Sequence, residues 1–297
     1  MWQEKTRHED VQRFPAKAPM NIPTRSSRNA EGAFQLKDLV CVLAILALLG
    51  AVQLASFAGH RDGSSAETCR NNLRRLTQAW LMYADDNAGR LAPNNGSDPN
   101  HPRGTWVPGW LDWTSSFDNI NTDYLVAFEK TGNYGHLGPY LARDISVFRC
   151  PDDASTVMIA GRAHNRVRTV SMNNWMGGDA YCGQAHYYVE QRTLSEISRP
   201  AQRWVFAKEL VAAINDSWFP VRMHEEYVVD YPAAMHSGGD WFGFSDGHVE
   251  LRRWIDPRTL PAYSADELIP LNVPSPGNPD MAWLRERTTD KKLGAPL

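Results

Sequence analysis

Four side chains that can bind a metal or move a proton fall within thirteen residues, His236, Asp240, Asp246 and His248. Imidazole with carboxylate suits zinc or another transition ion, while carboxylates with backbone carbonyls suit calcium. Of these, His236, Asp240 and Asp246 are the expected ligands of a structural Ca2+, if an ion is held at all. The rival is a hydrogen-bonded His–Asp brace, because neighbours on a hairpin strand point to alternate faces. The same stretch contains Gly243-Phe244-Ser245-Asp246-Gly247, letter for letter the G-x-S-x-G elbow of serine hydrolases. That elbow requires a strand, a sharp turn and a helix. Here a strand-like run, Val249–Ile255, follows instead, so the match is coincidental. Lys208-Glu209 reads as an edge-of-strand ion pair or as no pair. No phosphate-binding glycine loop, H-E-x-x-H helix or dinucleotide fingerprint occurs. The expectation is a chain with no catalytic residue and no other cofactor.

Four cysteines add one further possibility. Cys41 lies inside an apolar run and reads as a small apolar residue. Cys69, Cys150 and Cys182 are three, so at most one intramolecular pair forms and one thiol remains. Pairing of Cys150 with Cys182 stands level with a pair involving Cys69. No C-x-x-C is present, which argues against a zinc ribbon or a thioredoxin-type motif.

These groups must be positioned by a small set of elements. Asp246-Gly247 reads as a two-residue hairpin turn between Trp241–Phe244 and Val249–Ile255, with glycine supplying positive φ. His236 is placed to return across that hairpin to the turn. Further strands are expected at Thr169–Asn173 and Trp204–Ala207 from their β-branched and aromatic content. Between Ser65 and Asp86, Cys69, Leu73, Leu76, Trp80 and Tyr83 recur at spacings of four and three, one stripe of an amphipathic helix. The helix should stop near Asn87-Ala88-Gly89. Residues 92–140 are loop-like, with Trp106, Trp110 and Trp113 expected to cover the helix and sheet, or else to form a sugar-stacking surface. Upstream, the run from Leu39 to Ala58 is broken only by Gln53 and Ser56, about the length a helix needs to cross a bilayer. Residues 1–33 carry six Lys/Arg against four acids, leaving −5 of the formal −3 for the rest. That balance provides no basic stripe for nucleic acid. Arg25 and Arg28 before the run imply a cytoplasmic N-terminus and an outer C-terminal part.

Gly32-Ala33-Phe34-Gln35-Leu36-Lys37-Asp38 ahead of that run resembles the cleavage and methylation signal of type IV prepilins and pseudopilins. His236, followed after nine residues by Asp246-Gly247, resembles the H-x9-DG region of type II secretion protein G-like proteins of verrucomicrobial and planctomycete type. Together with Asn71–Arg74 and Tyr83–Asn87, the resemblance spans most of residues 32–255. Ala33 stands where the family usually has Gly, and Asp38 where it usually has Glu. What the resemblance implies is a non-enzymatic subunit, cut between Ala33 and Phe34 by a prepilin peptidase, methylated on Phe34 and assembled through its N-terminal helix. Asp38 would pair with a neighbour's N-terminal amine. The implied partners are the peptidase, other pseudopilin subunits, an inner-membrane assembly platform and membrane lipid, with no nucleic acid.

The expected organisation is a leader (1–33), a transmembrane assembly helix (34–58), its amphipathic continuation (59–90), an α+β head (91–256) and a Pro-rich tail (257–297). The expected fold is α+β and pilin-like, a long N-terminal transmembrane and amphipathic helix packed on an antiparallel sheet. The expected location is single-pass in the inner membrane with a periplasmic head. Two rivals remain for the N-terminal region, an uncut anchor and a secretory signal cut after Ser56-Phe57-Ala58. The rival function is a membrane-tethered extracytoplasmic enzyme or carbohydrate-binding protein that uses the His/Asp group or the Trp-rich loops.

Overall fold

The computed structural model describes residues 36–178, 181–264 and 266–295, and the chain divides into two units, residues 1–55 and 56–297. The expected cleavage site at Gly32, Ala33 and Phe34 lies outside the described residues, as do the side chains of Asp38 and Cys182. In chain order the helices are α1 (Leu36–Asp86), α2 (Asp123–Val126), α3 (Phe128–Thr131) and α4 (Pro279–Thr288). The strands are β1 (Thr156–Ile159), β2 (Arg162–Asn165), β3 (Val170–Asn173), β4 (Trp204–Lys208), β5 (Trp218–Phe219), β6 (Tyr227–Val228), β7 (Gly239–Phe244), β8 (Val249–Arg253) and β9 (Val273–Pro274).

The central sheet has the order β5-β3-β4-β7-β8, with β1–β2 and β6–β9 as two separate pairs. Within it β3 and β5 run parallel and the other neighbours antiparallel. The head is therefore α+β on a mixed sheet, which corrects the antiparallel expectation. The reason is local. After β4 the chain passes through the turn at Leu210–Ala213 and returns on the far side of β3, not next to β4.

The membrane expectation is also corrected. Among the described residues no helix is long and apolar enough to cross a membrane. This overturns the transmembrane helix, the single-pass topology and the inner-membrane location with a periplasmic head. Where α1 has described side chains in quantity, from Ser65 on, charges recur every few positions (Glu67, Arg70, Arg74, Arg75, Asp85, Asp86). No apolar stretch there approaches the roughly 20 residues a bilayer requires.

What that half of α1 does is pack. Leu73, Leu76, Ala79, Trp80 and Ala84 are buried in one cluster with Trp106, Phe148, Met172 and Phe206. Gly243 allows the helix to lie close to β7, since a Cβ there would stand 2.2 Å from Thr77 Oγ1. Thr77 Oγ1 itself donates back to the Leu73 carbonyl at 2.8 Å. The helix ends as its sequence indicates, with Ala88 and Gly89 at φ +56° and +79°. A second cluster joins Trp204, Phe219, Phe242 and Phe244 to Met281 and Leu284 of α4. Phe242 and Phe244 thus face α4, while Trp241 and Gly243 face α1, the period of two expected of a strand buried on both faces. Helix α4 lies in the stretch expected to be a tail. Asn278 caps it by accepting from the Asp280 and Met281 amides, with Pro279 in its first turn.

Candidate functional site

Five chemistry-bearing side chains from four separate segments meet at one buried point. Cys69 comes from the amphipathic stripe of α1, and Cys150 from the extended chain after the short turn Ile145–Phe148. Lys208 ends β4, Asp240 lies in β7, and His236 immediately precedes β7. His236 is fixed by a tight two-residue turn, in which its amide and carbonyl exchange hydrogen bonds with Gly239 (3.0 and 3.1 Å). The central residues Ser237 and Gly238 both have positive φ (+53° and +76°), as a type I′ turn demands. The Cys150 amide is held by Thr169 Oγ1 at 2.8 Å.

Cys69 Sγ and Cys150 Sγ are 3.2 Å apart. His236 Nε2 lies 3.5 Å from Cys150 Sγ and 4.0 Å from Asp240 Oδ1, while its Nδ1 faces Asp152 Oδ2 at 3.4 Å. Lys208 Nζ donates to Cys69 Sγ and pairs with Asp240 Oδ1 at 2.5 Å. The Trp241 amide donates to the same Oδ1 (2.7 Å), whereas Asp240 Oδ2 is buried without a partner.

Charge distributes unequally over the two thiols. The S–H that Cys69 donates holds Cys150 well below the ordinary thiol range; burial opposes this, and His236 and Lys208 reinforce it. The same bond, together with burial, pushes Cys69 up against the pull of Lys208. Burial by itself would lower Lys208, but Asp240 and the two sulfurs outweigh it and raise the ammonium. Cys150 is thus the more acidic of the two sulfurs, beside a Lys208–Asp240 ion pair.

No protein-family model, curated protein or solved structure matches this chain. The site must be read from its own geometry.

Cys69, Cys150 and His236 are the one group of at least three His, Cys, Asp or Glu among the described residues whose donor atoms converge closely enough to share an ion. It is not the expected His236, Asp240 and Asp246 set. His236 and Asp240 do approach each other, but Asp246 sits at the other end of β7, where its Oδ1 pairs with His248 Nδ1 at 2.5 Å. His236 consequently does not brace the Asp246-Gly247 turn. That turn is also one residue longer than expected. The Phe244 amide donates to the His248 carbonyl and the Gly247 amide to that of Phe244 (both 2.9 Å), closing Ser245-Asp246-Gly247 with Gly247 at φ +94°. This is the type I turn with a left-handed third residue. The soft donors present do not suit calcium, which takes six to eight oxygens. Lys208, with its ammonium on Cys69 Sγ, already supplies the positive charge that a cation would bring.

The remaining candidates fall into structural roles. Ser245 Oγ donates to the Pro200 carbonyl at 3.0 Å and is followed by β8, so it is no nucleophile elbow. Lys208 and Glu209 point to opposite faces and are not paired; Glu209 is fully buried, and desolvation raises its carboxyl to about 8. Trp106 is buried and Trp113 is covered by the Arg166 guanidinium at 4.6 Å, which leaves Trp110 alone exposed of the three. They form no stacking platform. Sequence reasoning left a pair involving Cys69 open without choosing Cys150 as its partner, and it missed the partnership of Lys208 with Asp240. The available signal was the stripe itself. Cys69 occupies a head-facing position of α1, so its partner had to lie in the head.

Proposed function

We propose that the chain is a non-enzymatic, pseudopilin-like subunit that assembles with like chains through the N-terminal part of α1 into a type II secretion or type IV pilus-like filament. The observation that carries this reading is the exposure of Leu39, Val40 and Leu43 (46, 57 and 56%) in the first turns of a 51-residue helix. Large apolar side chains left in water at one end of a long helix favour association with a similar surface. The Gly32–Asp38 pattern supports processing by a prepilin peptidase between Ala33 and Phe34. In the assembled state Asp38 neutralises the Phe34 amine of a neighbour, because an unpaired charge among packed apolar helices costs several kcal/mol.

The test is mass spectrometry of the mature chain from its native source, combined with Asp38→Ala. A chain beginning at methylated Phe34, and a variant incorporated into filaments more than about tenfold less than wild type, are the expected results. An intact N-terminus, a start at Gly59, or normal incorporation of Asp38→Ala would refute the reading.

A further inference from the structure

We propose that Cys69 and Cys150 are a redox-active dithiol that reacts with low-molecular-weight disulfides, with Cys150 as the exchanging thiol, Cys69 as the resolving thiol, and an internal disulfide between α1 and the head as product. The two sulfurs are already 3.2 Å apart, so closure to a bond of about 2.05 Å asks for an approach of roughly 1.1 Å.

The order of attack follows from the surroundings of each sulfur. Cys150 lines a cavity of about 440 Å³ together with Thr68, Ile120, Ile145, Arg149 and Val167. A second cavity of about 350 Å³ is lined by His236, Asp152 and Ser237. Both thiols are buried, Cys150 at 0% and Cys69 at 2% exposure, and with Lys208 they line a small pocket of about 10 Å³. Cys150 alone of the two also borders the 440 Å³ cavity, so a disulfide that enters there reaches its sulfur once the cavity wall opens. His236 at 3.5 Å and the S–H of Cys69 stabilise charge on that sulfur, and the thiolate is the form that attacks.

In the first step the Cys150 thiolate attacks one sulfur of RSSR, the S–S bond breaks, and RS⁻ departs, leaving Cys150–S–S–R. The departing thiolate takes the proton of Cys69. In the second step Cys69 attacks Cys150 Sγ and expels the second RS⁻. The sum is two protein sulfurs oxidised and one RSSR reduced to RSH and RS⁻. Lys208 and Asp240 remain paired throughout, so the oxidised site keeps its buried ion pair.

The test uses the full chain, reduced and then incubated with hydroxyethyl disulfide. It is quenched in acid, alkylated with N-ethylmaleimide in denaturant and mapped by mass spectrometry. The expected wild-type product is a Cys69–Cys150 linked peptide, with neither Cys41 nor Cys182 in an internal link. Cys69→Ser should stop at the mixed disulfide on Cys150, and Cys150→Ser should leave Cys69 unmodified, with folding of each checked by circular dichroism. Alkylation of both Cys69 and Cys150 in the wild-type chain, or a linked peptide containing Cys182, would overturn the pairing. Mixed disulfide on Cys69 in Cys150→Ser as fast as on Cys150 in Cys69→Ser would overturn the assigned roles. The wild-type map decides the pairing whether or not either variant folds.

Discussion

Replacing Lys208 by Met isolates the energetics of the buried cluster. The Lys208 and Asp240 side chains are 3% and 1% exposed and 2.5 Å apart. Met keeps the length and the apolar stem but removes the ammonium. It leaves a carboxylate in the interior whose Oδ2 already lacks a partner. Removing one member of a buried ion pair costs about 3–5 kcal/mol, roughly two to four powers of ten in the ratio of folded to unfolded chain. The loss comes from the orphaned charge, so taking the charge away as well should reverse it. Lys208→Met with Asp240→Leu is expected to return to within about 1 kcal/mol of wild type or to exceed it. The assay is urea denaturation followed by tryptophan fluorescence in reducing buffer, which keeps Cys69 and Cys150 as thiols. The denaturant slope should be unchanged, so that midpoints report stability alone. A single variant that loses less than about 1 kcal/mol, or a double variant that loses the sum of both single changes, would refute the buried-pair argument.

His136 gives a pH test. Burial lowers its imidazole from 6.5 to about 4, although the hydrogen bond to the Thr105 carbonyl works in the opposite direction. The folded chain keeps this ring neutral, while the unfolded chain takes up a proton below about 6.5. Stability should therefore be full above pH 6.5 and fall by up to about 3 kcal/mol between pH 6.5 and 4. In His136→Gln that part of the decline should be absent from denaturation midpoints measured across the range. Gly243→Ala tests the docking of α1. The added methyl meets Thr77 Oγ1 at 2.2 Å, so a loss of about 1–3 kcal/mol is expected, with recovery on adding Thr77→Ala. Equal midpoints for the single and double variants would show that the helix does not lie where the sheet needs a glycine.

The elements built on strong local patterns were legible in the sequence. The stripe through Leu73, Leu76 and Trp80, the stop at Ala88-Gly89, and strands β3, β4, β7 and β8 all follow from period, turn residues and β-branched or aromatic content. What was not legible depended on arrangement across the chain. The parallel pairing of β5 with β3 is set by where a loop returns, which no local period encodes. Helix α4 was concealed by the prolines around it, though Asn278-Pro279 was a usable start signal. At the site, His236 and Asp240 were singled out as members of one ligand set, and they approach to 4.0 Å. Their supposed third member, Asp246, sits in the turn beyond the opposite end of β7, whose span from Gly239 to Phe244 is about 17 Å at 3.4 Å per residue. The thiols and Lys208 replaced it because β4 and α1 flank β7, and that adjacency is tertiary.

The composition of the cluster carries one more step. Around it, α1 and the sheet join through Leu73, Leu76, Trp80, Phe148 and Phe206, all buried. Apolar residues of similar volume at 208 and 240 would extend that core without the desolvation of two charges. Instead an ion pair and two thiols occupy the junction, where a covalent bond between the two sulfurs could join the helix to the head. A local departure from the apolar rule that governs the rest of an interface is expected where function is located. The separation of 81 residues between Cys69 and Cys150 gives that bond leverage. On the chain-entropy account, closing a loop of this size restricts the unfolded chain by about 4–5 kcal/mol. That is comparable to the whole stability of many domains. Oxidation of one pair of sulfurs would thus change how firmly α1 is held on the head.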